Sequence, residues 1–246
     1  MNSHPLVLAI NAVATKDGDG VVGDAAVLHE LDCRVAAIAT SILAVTSTRI
    51  VAHEPVPDDV LTRQLEAVLA EGRPDGARIG ALGGPSQARL IAESLERCVP
   101  GRSVYAPIVQ MAGARLLDAT TLQTARREIF PRVRVVVLRA HDAEAWGLPA
   151  IGDLATLRAG AAAAREQGAR AVIIAGLLVH ARVIDLIDDG GSVTLLDASR
   201  VQAPHIAGLS GAYAAALAAH LARGAPLTKA AEAAQRYVGL RLMRGR

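Results

Sequence analysis

Aromatic side chains are nearly missing from this chain, which has one Phe, one Trp and three Tyr in 246 residues. Proteins that hold single-stranded nucleic acid stack the bases on such rings over a cationic groove, and the groove is missing too. Lys16 and Lys229 are the only lysines, the rest of the 26 basic residues are scattered arginines, and 24 acidic residues bring the net charge to +2. A balance this even gives no footprint for a nucleic-acid backbone. Cysteine is limited to Cys33 and Cys98, with no CxxC and no His at metal-ligand spacing. The expectation is two buried free thiols in a reducing compartment. No uninterrupted apolar run reaches the length of about 18 residues that a membrane helix needs, and Met1-Asn2-Ser3-His4-Pro5 lacks the basic start and apolar core of a signal peptide. A soluble cytoplasmic protein is expected, with neither a membrane nor a nucleic acid as partner.

What is present is apolar and punctuated: 52% of the residues are hydrophobic, with 22 Gly and 11 Pro. Leu6 to Val13 reads as a buried strand running into Gly18-Asp19-Gly20, and a helix follows over Val22 to Leu31. Val35 to Val45 is strand-like. Pro57-Asp58-Asp59 opens a helix with Leu61, Leu65, Val68 and Leu69 on one face, closed by Gly72. The alternation continues with strands at Ala77 to Leu82, Val104 to Val109, Val133 to Leu138, Ala171 to Ala175 and Val193 to Leu196. Helices fall after Pro85, with Ala88, Ile91 and Leu95 on one face, over Thr120 to Ile129 and over Ala155 to Gln167. Alanine-rich helices at Gly208 to Arg223 and Leu227 to about Met243 complete the chain. Strands alternating with amphipathic helices predict one α/β domain over residues 1–246, a mainly parallel sheet with helices on both faces. Its ligand site belongs at the carboxyl ends of the strands.

Four segments carry a resemblance: Gly18-Asp19-Gly20-Val21-Val22-Gly23-Asp24; Ile79-Gly80-Ala81-Leu82-Gly83; Pro107-Ile108-Val109 followed by Arg115-Leu116-Leu117-Asp118; and Gly208 onward through Leu217 to Leu227. In this order they resemble the hydroxymethylpyrimidine/phosphomethylpyrimidine kinases of thiamin biosynthesis, of the ribokinase-like fold, over nearly the whole chain. The resemblance implies a three-layer sandwich, a homodimer, ATP and magnesium, and a pyrimidine or its phosphate as ligand. It places the anion hole at Gly208, Leu209, Ser210 and Gly211 and substrate contacts at Asp24, Gly20, Thr46 and Ala81. From the residues alone, Asp24 reads equally as a helix N-terminal charge, Gly18 and Gly20 as a turn, and Thr46 as a plain strand-end threonine.

The departures fall on chemistry. Where the family has G-T-G-C-T, this chain has Gly208-Leu209-Ser210-Gly211-Ala212, so the catalytic base position is Gly211, with no side chain to take a proton. The family's Asp before P-V-M aligns with Ala106, its Asn of T-P-N with Arg139, and a Lys near G-G-H with Ala175. Weak or absent nucleotide binding and no protein metal site are therefore expected. His141, Asp142 and Glu144 read as a solvated helix start or the remnant of a nucleotide and metal site. Asp185, Asp188 and Asp189 read as a turn before a strand or paired carboxylates. His205 reads as an exposed loop imidazole or an anion contact, while His29, His180 and His220 have no partners at metal spacing. Two functional classes follow: a kinase acting on the thiamin pyrimidine or its phosphate, and a pseudokinase that binds a small molecule in a regulatory role.

Overall fold

The computed structural model describes residues 4–16, 18–98, 101–201 and 208–245. In chain order the elements are β1 (Leu6–Ala14), α1 (Gly20–Glu30), β2 (Arg34–Val45), β3 (Ile50–Pro55), α2 (Asp58–Glu71), β4 (Gly76–Ile79), α3 (Pro85–Cys98) and β5 (Ser103–Tyr105). A two-stranded ribbon follows, β6 (Gln110–Met111) and β7 (Ala114–Arg115), then α4 (Ala119–Glu128), β8 (Val135–Arg139) and a 3-10 turn at Ala140–Trp146. The rest is α5 (Leu154–Glu166), β9 (Val172–Val179), β10 (Arg182–Asp188), β11 (Val193–Ser199), α6 (Leu209–Ala222) and α7 (Leu227–Arg244).

Nine strands form one sheet in the order β11-β10-β9-β8-β5-β4-β1-β2-β3. The six from β9 to β2 pair in parallel, and antiparallel β10, β11 and β3 close the two edges. Strand periodicity sorts the core into two layers. Leu8, Ile10, Val136 and Leu138 face α2 to α5, while Val7, Ala9, Val135 and Val137 face α1, α6 and α7. The few aromatics are concentrated in the first layer, where Phe130 and Trp146 have centroids 5.4 Å apart and both meet Tyr105 edge-on. Alanine serves the second layer, since Ala214, Ala215, Ala216, Ala218 and Ala219 are all buried between the sheet and neighbouring helices. Both cysteines are buried and free, and no helix among the described residues is long and apolar enough to cross a membrane.

The parallel three-layer architecture agrees with the expectation; several strand assignments do not, and β10 was not expected at all. β3 was not expected, because an edge strand with only partly buried residues carries no apolar alternation. The stretch expected as Val104 to Val109 is a strand only to Tyr105, and Ala77 to Leu82 only to Ile79. Asp185 lies inside β10 rather than in a turn. β9 runs on past Gly176, whose φ of +85° makes a bulge there, and the pairing with β10 shifts register between Ile184 and Leu186. Asp188 pairs with Arg165, and Asp189 accepts from the N–H groups of Gly191 and Ser192 in the turn before β11.

Candidate functional site

The first turn of α6 opens at the carboxyl edge of the sheet. Gly208, with φ +74°, precedes it as N-cap, and the Ala212 N–H closes the turn on the Gly208 carbonyl at 2.8 Å. Helix geometry aims the N–H groups of such a turn outward, where they and the helix dipole favour an anion. In front of it lies a cleft of about 420 Å³, lined among others by Lys16, Gly20, Arg78, Arg139, His141 and Gly208 to Gly211.

Beneath Gly211 sits a buried ion pair. Arg78 Nε is 3.0 Å from Asp24 Oδ1, and the two residues are 1% and 2% exposed. Asn11 completes it, donating from Nδ2 to Asp24 Oδ2 at 2.8 Å while its Oδ1 accepts the N–H of Ala12 and of Ala81. Burial pushes the Asp24 carboxyl up, and Arg78 and Asn11 oppose that rise. Two other carboxylates near the cleft are engaged in the same way. Lys16 is 3.6 Å from Asp19, and Arg139 Nε donates to Asp142 Oδ2 at 2.6 Å.

The structure brings some of the expected residues together and separates others. Gly20, Gly208, Leu209, Ser210 and Gly211 all line the cleft. Asp24 lies behind them with its oxygens taken by Arg78 and Asn11 rather than turned to the cleft. Ala81 is buried with Ala12, Leu43 and Val45, and only its backbone supports the site, through Asn11. Thr46 is exposed in the β2–β3 turn, where its Oγ1 accepts the N–H of Arg49 at 3.2 Å. Asp142 is not a solvated helix start, being buried against Arg139, whereas Glu144 is exposed. His205 lies outside the described residues. Among the described residues no three His, Cys, Asp or Glu gather to hold a metal.

Arg78, Asn11 and Arg139 were not expected in the site. The signal for the first two was an arginine and an asparagine inside apolar strand runs, since a buried cation or amide requires a buried partner. Arg139 entered only as a lost asparagine, although a guanidinium at a strand end is itself an anion ligand.

A family model described as phosphomethylpyrimidine kinase matches residues 15–245. The chain belongs to this family. It is 28% identical over 236 residues to the hydroxymethylpyrimidine/phosphomethylpyrimidine kinase of Rhizobium meliloti (strain 1021), covering 95% of this chain and 88% of that one. Two structures of the pyridoxal kinase from Staphylococcus aureus, one in complex with pyridoxal and one with AMP-PCP, each superpose with a TM-score of 0.89. They are 25% and 26% identical, and each match covers 98% of this chain and 89% of the other. The fold is therefore that of the vitamin kinases, and the cleft sits at the strand ends where α/β sheets bind ligands.

Against that family, the residues present fit phosphate oxygens, which the α6 N-terminus and the partly exposed cations Lys16 and Arg139 complement, with Arg78 buried behind them on Asp24. They do not fit a magnesium ion held by protein carboxylates, because Asp19, Asp24 and Asp142 each face a cation instead.

Proposed function

We propose that this chain takes hydroxymethylpyrimidine or its phosphate into the cleft, in thiamin biosynthesis, and phosphorylates it from ATP slowly. The observation that carries this reading is the α6 first turn facing the cleft above the buried Arg78. Phosphoryl transfer depends mainly on positioning and charge stabilisation, which a helix N-terminus and fixed guanidinium groups supply without further chemistry. Slowness follows from Gly211. A missing general base costs on the order of 10²–10⁴ in rate.

A second reading, a pseudokinase that binds the pyrimidine and regulates through a partner, is favoured by that same Gly211 and by the ion-paired carboxylates. Both readings include a homodimer in the cytoplasm. One experiment separates them: ATP with each of hydroxymethylpyrimidine, its phosphate and pyridoxal, followed by phosphorylated product and, in parallel, by thermal shift. Product with the pyrimidines supports the slow kinase. A melting shift without product supports the binding protein, and neither response to any pyrimidine or to pyridoxal removes the family's ligands from consideration.

A further inference from the structure

The cleft has a neighbour. A second cavity of about 270 Å³ lies on the far side of Arg139, His141, Leu209 and Ser210, which line both. Its other walls are largely apolar, with Val137, Ala175, Val183 and Val238 among them, interrupted by the hydrogen-bonded Asp185 and Gln235. Tyr213 also lines it, a side chain 6% exposed whose hydroxyl has no hydrogen-bond partner among the described residues. A buried hydroxyl left without a partner marks a place where a ligand can supply one.

We propose that Arg139 is a fixed cation standing in for a divalent metal, so that a phosphate-bearing small molecule binds across this shared wall without a metal ion. The inference rests on the reading that the cleft takes the family's class of ligand. Asp142, 3% exposed at its side chain, grips Arg139 through Nε and Nη2, which leaves the outer Nη1/Nη2 edge for a ligand; the Arg139 side chain is 27% exposed and shares the wall with Ser210. A guanidinium is planar, permanently charged and able to bind two phosphate oxygens at once. The α6 first turn offers N–H groups to the same anion. A magnesium ion brought to this wall would meet Arg139 and Lys16 as like charges; the carboxylates beside the cleft, Asp19, Asp24 and Asp142, are each engaged by a cation, and Asp185 in the second cavity has its oxygens on the Gly176 N–H and the Gln235 amide. The site therefore carries its own counter-charge, and the apolar second cavity receives the uncharged end of the ligand.

The test is calorimetric titration of inorganic pyrophosphate into the full chain, in EDTA and in magnesium chloride. Wild type is compared with Arg139→Lys, Arg139→Gln and the pair R139Q/D142N, which removes the buried carboxylate that Arg139→Gln alone would strand. Binding in EDTA is expected, left unchanged or weakened by magnesium, which competes for the same oxygens. Arg139→Gln and the pair are expected to weaken it about 10- to 100-fold, and Arg139→Lys by less. The inference is overturned by absence of binding in EDTA, by magnesium tightening it more than about tenfold, or by wild-type affinity in a folded R139Q/D142N. A melting shift with neutral hydroxymethylpyrimidine but no pyrophosphate binding overturns this inference alone. Pyrophosphate binding with no response to the pyrimidine overturns only the ligand class.

Discussion

The carbonyl oxygen of Gly18 packs against the α-carbon of Gly208: a β-carbon built on Gly208 would lie 2.1 Å from it. The loop after β1 and the first turn of α6 are thereby held in register, and the cleft between them depends on that contact. Gly208→Ala adds a clash with backbone to the cost of a left-handed φ of +74°, together at least about 1–3 kcal/mol. A domain of this size loses roughly 2–4 °C per kcal/mol, so the expected fall in melting temperature is several degrees. Pyrophosphate binding should fall with it. An unchanged melting temperature and affinity would show that the two loops are not coupled.

Gly211 makes the opposite prediction. A β-carbon there meets only Asp24 Oδ1 at 3.6 Å and an Arg78 guanidinium nitrogen at 3.8 Å, ordinary contact distances. Gly211→Ala should fold normally and gain about 0.5–1 kcal/mol from the reduced entropy of the unfolded chain. Gly211→Cys adds a thiol where the family keeps its base. With ATP and hydroxymethylpyrimidine it should raise product formation by about 10-fold or more over Gly211→Ala. Equal rates in the two variants would mean that proton transfer is not what this chain lacks.

The Asp24–Arg78 pair sets a third test. Removing one partner of a buried pair leaves the other charge stranded, at about 3–5 kcal/mol. Asp24→Asn and Arg78→Met should each lower the unfolding free energy from urea melts by that amount, and the double variant by much less than the sum. Additive losses would show that the two residues are not held as a pair.

The parallel architecture was legible because β1 and β8 are near-continuous apolar runs, because most helices are amphipathic, and because Pro57-Asp58 and Gly72 mark the ends of α2 in the sequence itself. β3 and β10 were not. The first is a half-exposed edge, and the second lies beyond Gly176, which reads as a strand end until a buried carboxylate is seen to bridge the bulge. In the site, the α6 turn was legible from its glycines, whereas Thr46 was assigned by alignment to a position that the β2–β3 turn carries into solvent. Arg78 and Asp24 were not legible as a pair, since they are 54 positions apart and only the pairing of β1 with β4 and the packing of α1 bring them together.

Asp185 gives a pH test of the bulge. Its Oδ1 accepts the Gly176 N–H at 2.8 Å and its Oδ2 the Gln235 amide at 2.9 Å, and the residue is 3% exposed. Burial pushes its carboxyl above the ordinary value of 3.8, more than these two hydrogen bonds pull it down. The folded state therefore binds this proton more tightly than the unfolded chain does. Stability supplied by the protonated form is fully present below the unfolded value and is lost as pH rises through the raised native one. Asn in this place keeps an oxygen for the Gly176 N–H and, with the Gln235 amide turned over, a donor for its oxygen, and it carries no charge to desolvate. Asp185→Asn is expected to match or exceed wild type in stability at pH 7 to 8 and to lack the wild-type decline on going up from about pH 4. Urea melts of both proteins across that range measure the difference. A variant less stable at neutral pH, with a slope parallel to wild type, would show that the ionised carboxylate is what holds Gly176 and Gln235 together.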